Sequence, residues 1–404
     1  MKSFRCGHAT HPDWRIALAL AAAQIEAARA HADAAMQPRL GWVYLTDHYA
    51  LAADALLAEL RTRWPGVGWV GAVGVAIAAG GVEYADEPAL AILLADLDPA
   101  RFRIFNGRQP LRGFVAETAM VHADPSSLDL GELIADLAGR TTSGNVFGGI
   151  ASSREAAADG VSTARHIADG VWHGGVSGVA FDRQVALVSR ITQGCQPIGP
   201  DRVVTDADRQ VVLTLDGEPA LDCLLRDLAL EGATPREIAP RLRQTLVGLR
   251  DAGAAEAERR GAFGEQTRVR HLIGLDPARR AIAVADHVDA GMRLAFCGRN
   301  TEAARRDLMR MCAEVREEVE TEPVSLAPAA LRGDDARPAG AIAGALYVSC
   351  AGRGGAHFGA PSAELAIVRR ALGDVPLVGF FAAGEIAQRY LYGYTGVLTV
   401  FRAT

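Results

Sequence analysis

The stretch Pro376-Leu377-Val378-Gly379-Phe380-Phe381-Ala382-Ala383-Gly384-Glu385-Ile386 decides how this chain is read. A proline opens it, and a short continuous apolar run follows, the pattern of a buried strand. Gly384 then permits a sharp turn. Glu385 stands next to Ile386 in an apolar setting. It is expected to be partly buried and to need a partner, and an exposed turn carboxylate is the alternative. A last strand is expected over residues 396–401.

Upstream lies Ser349-Cys350-Ala351-Gly352-Arg353-Gly354-Gly355-Ala356-His357-Phe358-Gly359, between an expected strand over 341–349 and a helix over 362–372. Its glycines let backbone amides approach a ligand closely, and successive N–H groups can form an anion-binding nest. Arg353 adds a planar donor suited to a carboxylate or phosphate. Ligands in α/β folds collect at the carboxyl ends of strands. Cys350, Gly352, Arg353, Gly354, Gly355, His357 and Phe358 are therefore candidate ligand-binding residues, together with Gly384 and Glu385, and Arg353 is the candidate partner of Glu385. A second turn-rich segment, Thr192-Gln193-Gly194-Cys195-Gln196-Pro197-Ile198-Gly199-Pro200, adds Gln193 and Cys195. It reads as a rigid wall-forming loop. A nucleophilic Cys195 would need a base within reach.

Elsewhere, helices are expected over 14–35 and 51–64, and the run 219–260 is helical in character with Thr234 capping a new start. Strands are expected over 41–46, 67–77, 89–97, 145–147, 202–215, 271–275, 281–285 and 292–297. Residues 174–181 and 185–191 read as a hairpin-like pair. Residues 153–165 read as a short helix or loop, and 323–340 as a loop. The order strand, helix, Gly-aromatic occurs at 41–69 and again at 344–380. This points to an α/β fold of two pseudo-repeated halves, with mixed β-sheets packed against helices. The expected domains are 1–219 and 220–404.

The 404 residues carry a net charge of −6, and Lys2 is the one lysine. No basic patch marks a nucleic-acid surface. The six cysteines include no C-x-x-C pair, which argues against a disulfide framework or structural zinc and for a reducing compartment. No apolar run approaches the ~20 residues that span a bilayer. The apolar run 16–23 continues through Gln24-Ile25-Glu26 as a helix would, not as a signal peptide. Gly66-Val67-Gly68-Trp69-Val70-Gly71 matches G-x-G-x-x-G, but a helix precedes it and none opens at it, so a dinucleotide site is not expected. His8 and His11 beside Cys6 lie near a terminus, a poor place for a metal. No metal site is expected.

The residues 378–386, followed by Leu391-Tyr392-Gly393-Tyr394-Thr395-Gly396-Val397-Leu398, resemble the C-terminal signature of FIST domains: a Gly-Phe-Phe strand, a small-x-Gly-Glu-Ile turn and a closing Tyr-Thr. Segments 194–200, 215–220 and 347–355 support the resemblance, which runs from about residue 40 to 401. The first repeat departs from the pattern. Gly71-Ala72-Val73-Gly74-Val75-Ala76 stands where relatives carry polar residues and an acid. The resemblance implies a bacterial, cytoplasmic sensory module that binds a small molecule, with amino acids as proposed ligands, rather than an enzyme. It further implies output through a separate signalling protein such as a histidine kinase. Some stand-alone members resemble haem-binding nitric-oxide sensors, and the histidines that would then be axial candidates are His48, His271, His287 and His357. An enzyme using Cys195 or Cys350 as nucleophile is the third reading.

Overall fold

The computed structural model describes residues 3–30, 36–154, 162–253, 263–264, 266–321 and 342–403. The expectations for 31–35, 155–161, 254–260 and 323–340 lie outside the described residues. The chain forms two compact units, each drawing on separated segments. One comprises Met1–Ile191, Leu308–Leu391 and Thr395–Thr404; the other comprises Thr192–Asp307 and Tyr392–Tyr394.

The first unit is one motif in three copies. Copy one runs strand Phe4–Thr10, helix Trp14–Ala30, strand Leu40–Thr46, helix Ala53–Arg63 and strand Gly68–Gly74, then the hairpin Ala76–Ala79 and Val82–Ala85, and strand Ala89–Ala95. Copy two runs Phe102–Phe105, Thr118–Ala123, helix Leu130–Gly139, Asn145–Ile150, the hairpin His166–Ala168 and Val171–Trp172, and Val176–Phe181. Copy three begins with Leu187–Gln193 and is interrupted by the second unit. It resumes at Leu308, within helix Thr301–Thr321, and continues through Ile342–Cys350, helix Ala363–Leu372, Leu377–Ala382, the strands Glu385–Gln388 and Tyr390–Tyr392, and Thr395–Arg402.

In each copy the two strands flanking the short helix pair in parallel. The segment after the second of them leaves for another copy's sheet. Ala76–Ala79 pairs with Leu377–Ala382, Glu385–Gln388 with Asn145–Ile150, and His166–Ala168 with Gly68–Gly74. The exchange is cyclic and yields three six-stranded sheets of one plan.

Glycine marks the register. Gly71 faces Val43, Gly148 faces Val121 and Gly379 faces Tyr347. A Cβ at these glycines would lie 1.8, 1.9 and 1.7 Å from the facing carbonyl oxygen, closer than any side chain tolerates. The two-copy reading is thus corrected to three, and the partner of Gly379 is Gly71 rather than Gly68. The second copy lacks the Gly-aromatic mark, because Gly148 is followed by another glycine.

Alternation along each strand sorts the core. Val43 and Leu45 face the helices, packing with Leu18, Ile25, Leu56 and Leu60. Ile134 and Leu137 cover Val121, Val146 and Ile150 in the second copy. The opposite faces carry Trp42, Tyr44, Phe380 and Phe401, which meet in an aromatic interior: Tyr44 stacks on Phe380 at 5.0 Å, and Trp42 and Phe181 approach Phe401 at 5.4 and 5.8 Å. Residues 176–181 and 187–193 are strands, as expected, but they do not pair with each other. The edges of Val176–Phe181 are taken by Thr118–Ala123 and Phe102–Phe105, while Leu187–Gln193 joins Thr395–Arg402.

In the second unit the strands Arg202–Asp208, Val211–Leu215, Ala281–Val284, Arg268–Asp276, Thr245–Arg250 and Arg293–Arg299 follow one another around a sheet that closes on itself. Helix Ala220–Asp227 packs Leu221 and Leu224 against Val247, Ile282 and Phe296 of its core. Thr234 is the N-cap residue of helix Pro235–Gln244, and its backbone N–H donates to Glu237 at 2.8 Å. The expected helical run ends there, since Thr245–Arg250 is a strand. Among the described residues no helix is long and apolar enough to cross a membrane.

Candidate functional site

The glycine-rich loop after strand Ile342–Cys350 does not present Arg353 to solvent. Arg353 is 1% exposed, and its Nε and Nη2 lie 2.9 and 2.8 Å from Oε1 of Glu364, itself fully buried in the first turn of helix Ala363–Leu372. The same carboxylate accepts Tyr347 Oη–H at 2.7 Å and Ser349 Oγ–H at 3.0 Å. Phe358 lies across the guanidinium at 5.2 Å. The expected anion nest is also occupied from within. The Gly355 N–H donates to Glu83 Oε2 at 2.8 Å, and Leu365 N–H donates to the other oxygen of that carboxylate at 3.3 Å. Burial raises the Glu83 carboxyl above its ordinary range despite these amide donors.

Glu385 is fully buried, which corrects the exposed-turn alternative. Its Oε2 accepts Thr395 Oγ1–H at 2.6 Å and Thr395 N–H at 3.1 Å, while its Oε1 has no hydrogen-bond partner. The expected Arg353–Glu385 pair is therefore corrected: Glu364 is the carboxylate that Arg353 contacts. The first turn of helix Ala363–Leu372 places Glu364 against the guanidinium. Burial drives the Glu385 carboxyl up to about 8, a rise opposed by the Thr395 hydrogen bonds and by the charge of Arg353.

The threefold plan gives Glu385 two counterparts. Across each sheet, residues in register share a face, and the equivalent rows are Tyr44–Ala72–His166, His122–Gly149–Glu385 and Val348–Phe380–Ile77. Ile77 stands where the third copy has Glu385, so the first copy has no acid there; His166 stands there in the second. A Cβ on Gly149 would meet Val348 at 2.7 Å, Ala382 at 2.9 Å and Phe380 at 3.1 Å, so this row is packed by side chains of the third copy.

Sequence reasoning missed the two histidines of these rows. His122 is completely buried; its Nε2 is 3.2 Å from Tyr44 Oη and its Nδ1 has no hydrogen-bond partner. Burial depresses it to about 3, helped by His166. His166 contacts Ser177 Oγ at 2.6 Å and the Gly174 carbonyl at 3.2 Å, and burial depresses it to about 4. Both are neutral over the ordinary range. The period-two alternation of Thr118–Ala123, which puts His122 and Met120 on one face, was the available signal.

The remaining candidates divide between the two units. Cys350 ends its strand opposite Ala382, and the Gly384 carbonyl accepts a hydrogen bond from Ile150 N–H at 2.8 Å. His357 packs edge-on against Phe358. Gln193 and Cys195 belong to the second unit. There Gln193 donates from its backbone N–H to Asp307 at 2.6 Å and from Nε2 to the Thr267 carbonyl at 2.9 Å. Cys195 is buried in the core with Cys297, whose thiol burial pushes well above its ordinary value. The side chains packed with it there, Leu246 and Val269, supply no general base.

Haem would need an axial ligand inside an apolar pocket. His48 sits 3.5 Å from Asp47, His271 contacts Tyr394 Oη at 2.9 Å, and His287 is mostly exposed beside Asp289. These three residues are exposed, so none of them is an axial ligand inside an apolar pocket. His8 contacts Tyr84 Oη at 2.6 Å, and among the described residues no cluster of three metal-ligating side chains occurs.

Residues 39–218 match the model of the FIST N domain, and residues 220–388 match that of the FIST C domain. An uncharacterized protein of Mycobacterium tuberculosis is 30% identical over 417 aligned residues, covering 98% of both chains. An uncharacterized protein of Mycobacterium bovis is 31% identical over 418, covering 98% of this chain and 97% of its own.

Proposed function

The chain belongs to the FIST family, whose domains are sensory and signal-transduction modules, and on that premise we propose that it is a small-molecule sensor whose ligand presents an amine to Glu385. One observation carries the reading. Glu385 is a fully buried carboxyl with an unpartnered oxygen, and the nearby guanidinium is already committed to Glu364. A buried carboxyl in that state is stabilised by any group that brings a positive charge or a strong donor to it. An ammonium does both. The ligand is thus amino-acid-like at its amine end, while Arg353 and the Gly355 amide, engaged by Glu364 and Glu83, are not available for its carboxylate. Signal output passes to a separate protein, of which a histidine kinase is the kind expected for the family.

Thermal unfolding of the full chain with a panel of L-amino acids, their decarboxylated amines and their deaminated acids tests this. Amines and amino acids should stabilise the protein, the deaminated acids should not, and Glu385→Gln should abolish the effect. Equal stabilisation by the deaminated acids, or an effect that survives Glu385→Gln, would sink the reading.

A further inference from the structure

The second unit contains a cavity of about 360 Å³ lined by residues of that unit alone. That volume suits a small organic molecule. Arg241, Arg243 and Arg299 line it, and no acidic side chain does. Among the described residues no ion pair engages Arg241 or Arg243. Both stand in the last turn of helix Pro235–Gln244, the negative end of its dipole, so the positive charge at the cavity is that of the side chains alone.

An aromatic wall faces this charge. Tyr394 lines the same cavity, with the Arg299 guanidinium over its ring at 5.4 Å. Its hydroxyl is 2.9 Å from His271 Nε2, and its carbonyl accepts Gly194 N–H at 3.1 Å. The backbone of Tyr394 has φ +62°, a conformation that a bulky residue keeps only where surrounding contacts hold it. Ile198, 45% exposed, and Leu228 add apolar surface.

We propose that this cavity is a binding site for a small aromatic phosphate. The three guanidinium groups would hold the phosphoryl oxygens, and the flat ring would rest against Tyr394 and Ile198. Guanidinium pairs with phosphate through parallel N–H···O bonds, and a ring edge or face against Tyr394 gains the usual aromatic contact. The site involves neither Glu385 nor Arg353, so it stands or falls independently of the amine reading.

Calorimetric titration of the full chain with phenyl phosphate, inorganic phosphate and benzyl alcohol provides the test. Phenyl phosphate should bind more tightly than inorganic phosphate, and benzyl alcohol should not compete measurably. The exposed substitutions Arg241→Gln and Arg243→Gln should each weaken phenyl phosphate by about tenfold or more, the loss expected for a charged hydrogen bond. Tyr394→Leu should remove the advantage of phenyl phosphate over inorganic phosphate. Absence of phenyl phosphate binding, or binding indifferent to both arginine substitutions, would overturn the proposal. So would equal affinity for phenyl and inorganic phosphate in the unaltered chain.

Discussion

The guanidinium of Arg353 meets the carboxylate of Glu364 at 2.9 Å with both groups withdrawn from solvent. Removing one member of such a pair leaves the other charge buried and unmatched. Arg353→Met should cost about 3–5 kcal/mol of stability, read from the urea midpoint. Arg353→Met combined with Glu364→Gln should cost clearly less than Arg353→Met alone. A double variant as unstable as the sum of its parts would mean that the two groups do not act as a pair.

Glu385 carries the opposite pH signature from a surface acid. Its folded carboxyl titrates near 8 rather than 4.5, so the folded chain holds a proton that the unfolded chain has lost. Stability therefore declines as pH rises from about 4.5 to about 8 and levels off above that. Glu385→Gln should remove this decline. Above pH 8 the gain should be on the order of a few kcal/mol, because each tenfold change in proton affinity between the folded and unfolded chain is worth about 1.4 kcal/mol. Matching pH profiles for the two proteins would refute it.

His122 and His166 act on the acid side. Their folded values lie near 3 and 4, below the ordinary 6.5, so the unfolded chain binds protons first. Their contribution is whole above about 6.5 and is lost as pH falls toward 3. His122→Phe, which keeps a ring beside Tyr44 and Phe380, should flatten that acid limb in chemical denaturation; an unchanged slope would count against it.

Gly379→Ala places a methyl group 1.7 Å from the Tyr347 carbonyl oxygen and should cost several kcal/mol or prevent folding. Gly148→Ala should behave alike, with 1.9 Å to Val121. Gly139→Ala, in a helix with nothing within 4 Å of the added Cβ, is the control and should be neutral or stabilising by about 0.5–1 kcal/mol. Circular dichroism melts separate these outcomes.

The site was legible in part. Glu385 and Arg353 stood out because a charge among apolar or glycine residues breaks a local pattern. Glu364 did not, since an acid in the first turn of a helix is ordinarily a solvated complement to the helix dipole. Its burial depends on Tyr347 and Ser349 of a neighbouring strand reaching it. Glu83 was hidden for the same reason, in a short hairpin whose carboxylate meets a loop 272 residues away.

By itself the sequence determined many of the apolar strands, the turn at Gly384, the three-strand series over 271–297 and the family to which the chain belongs. Those are matters of local periodicity, turn chemistry and motif, which neighbouring residues settle among themselves. Tertiary structure alone decided that the motif occurs three times, that each hairpin crosses to another copy's sheet, and that Glu385, His166 and Ile77 are equivalent. A short apolar strand pairs equally well, as far as its own residues go, with any open sheet edge. The choice falls to the packing of three inner faces around Tyr44, His122 and Phe380, which no single stretch of chain contains.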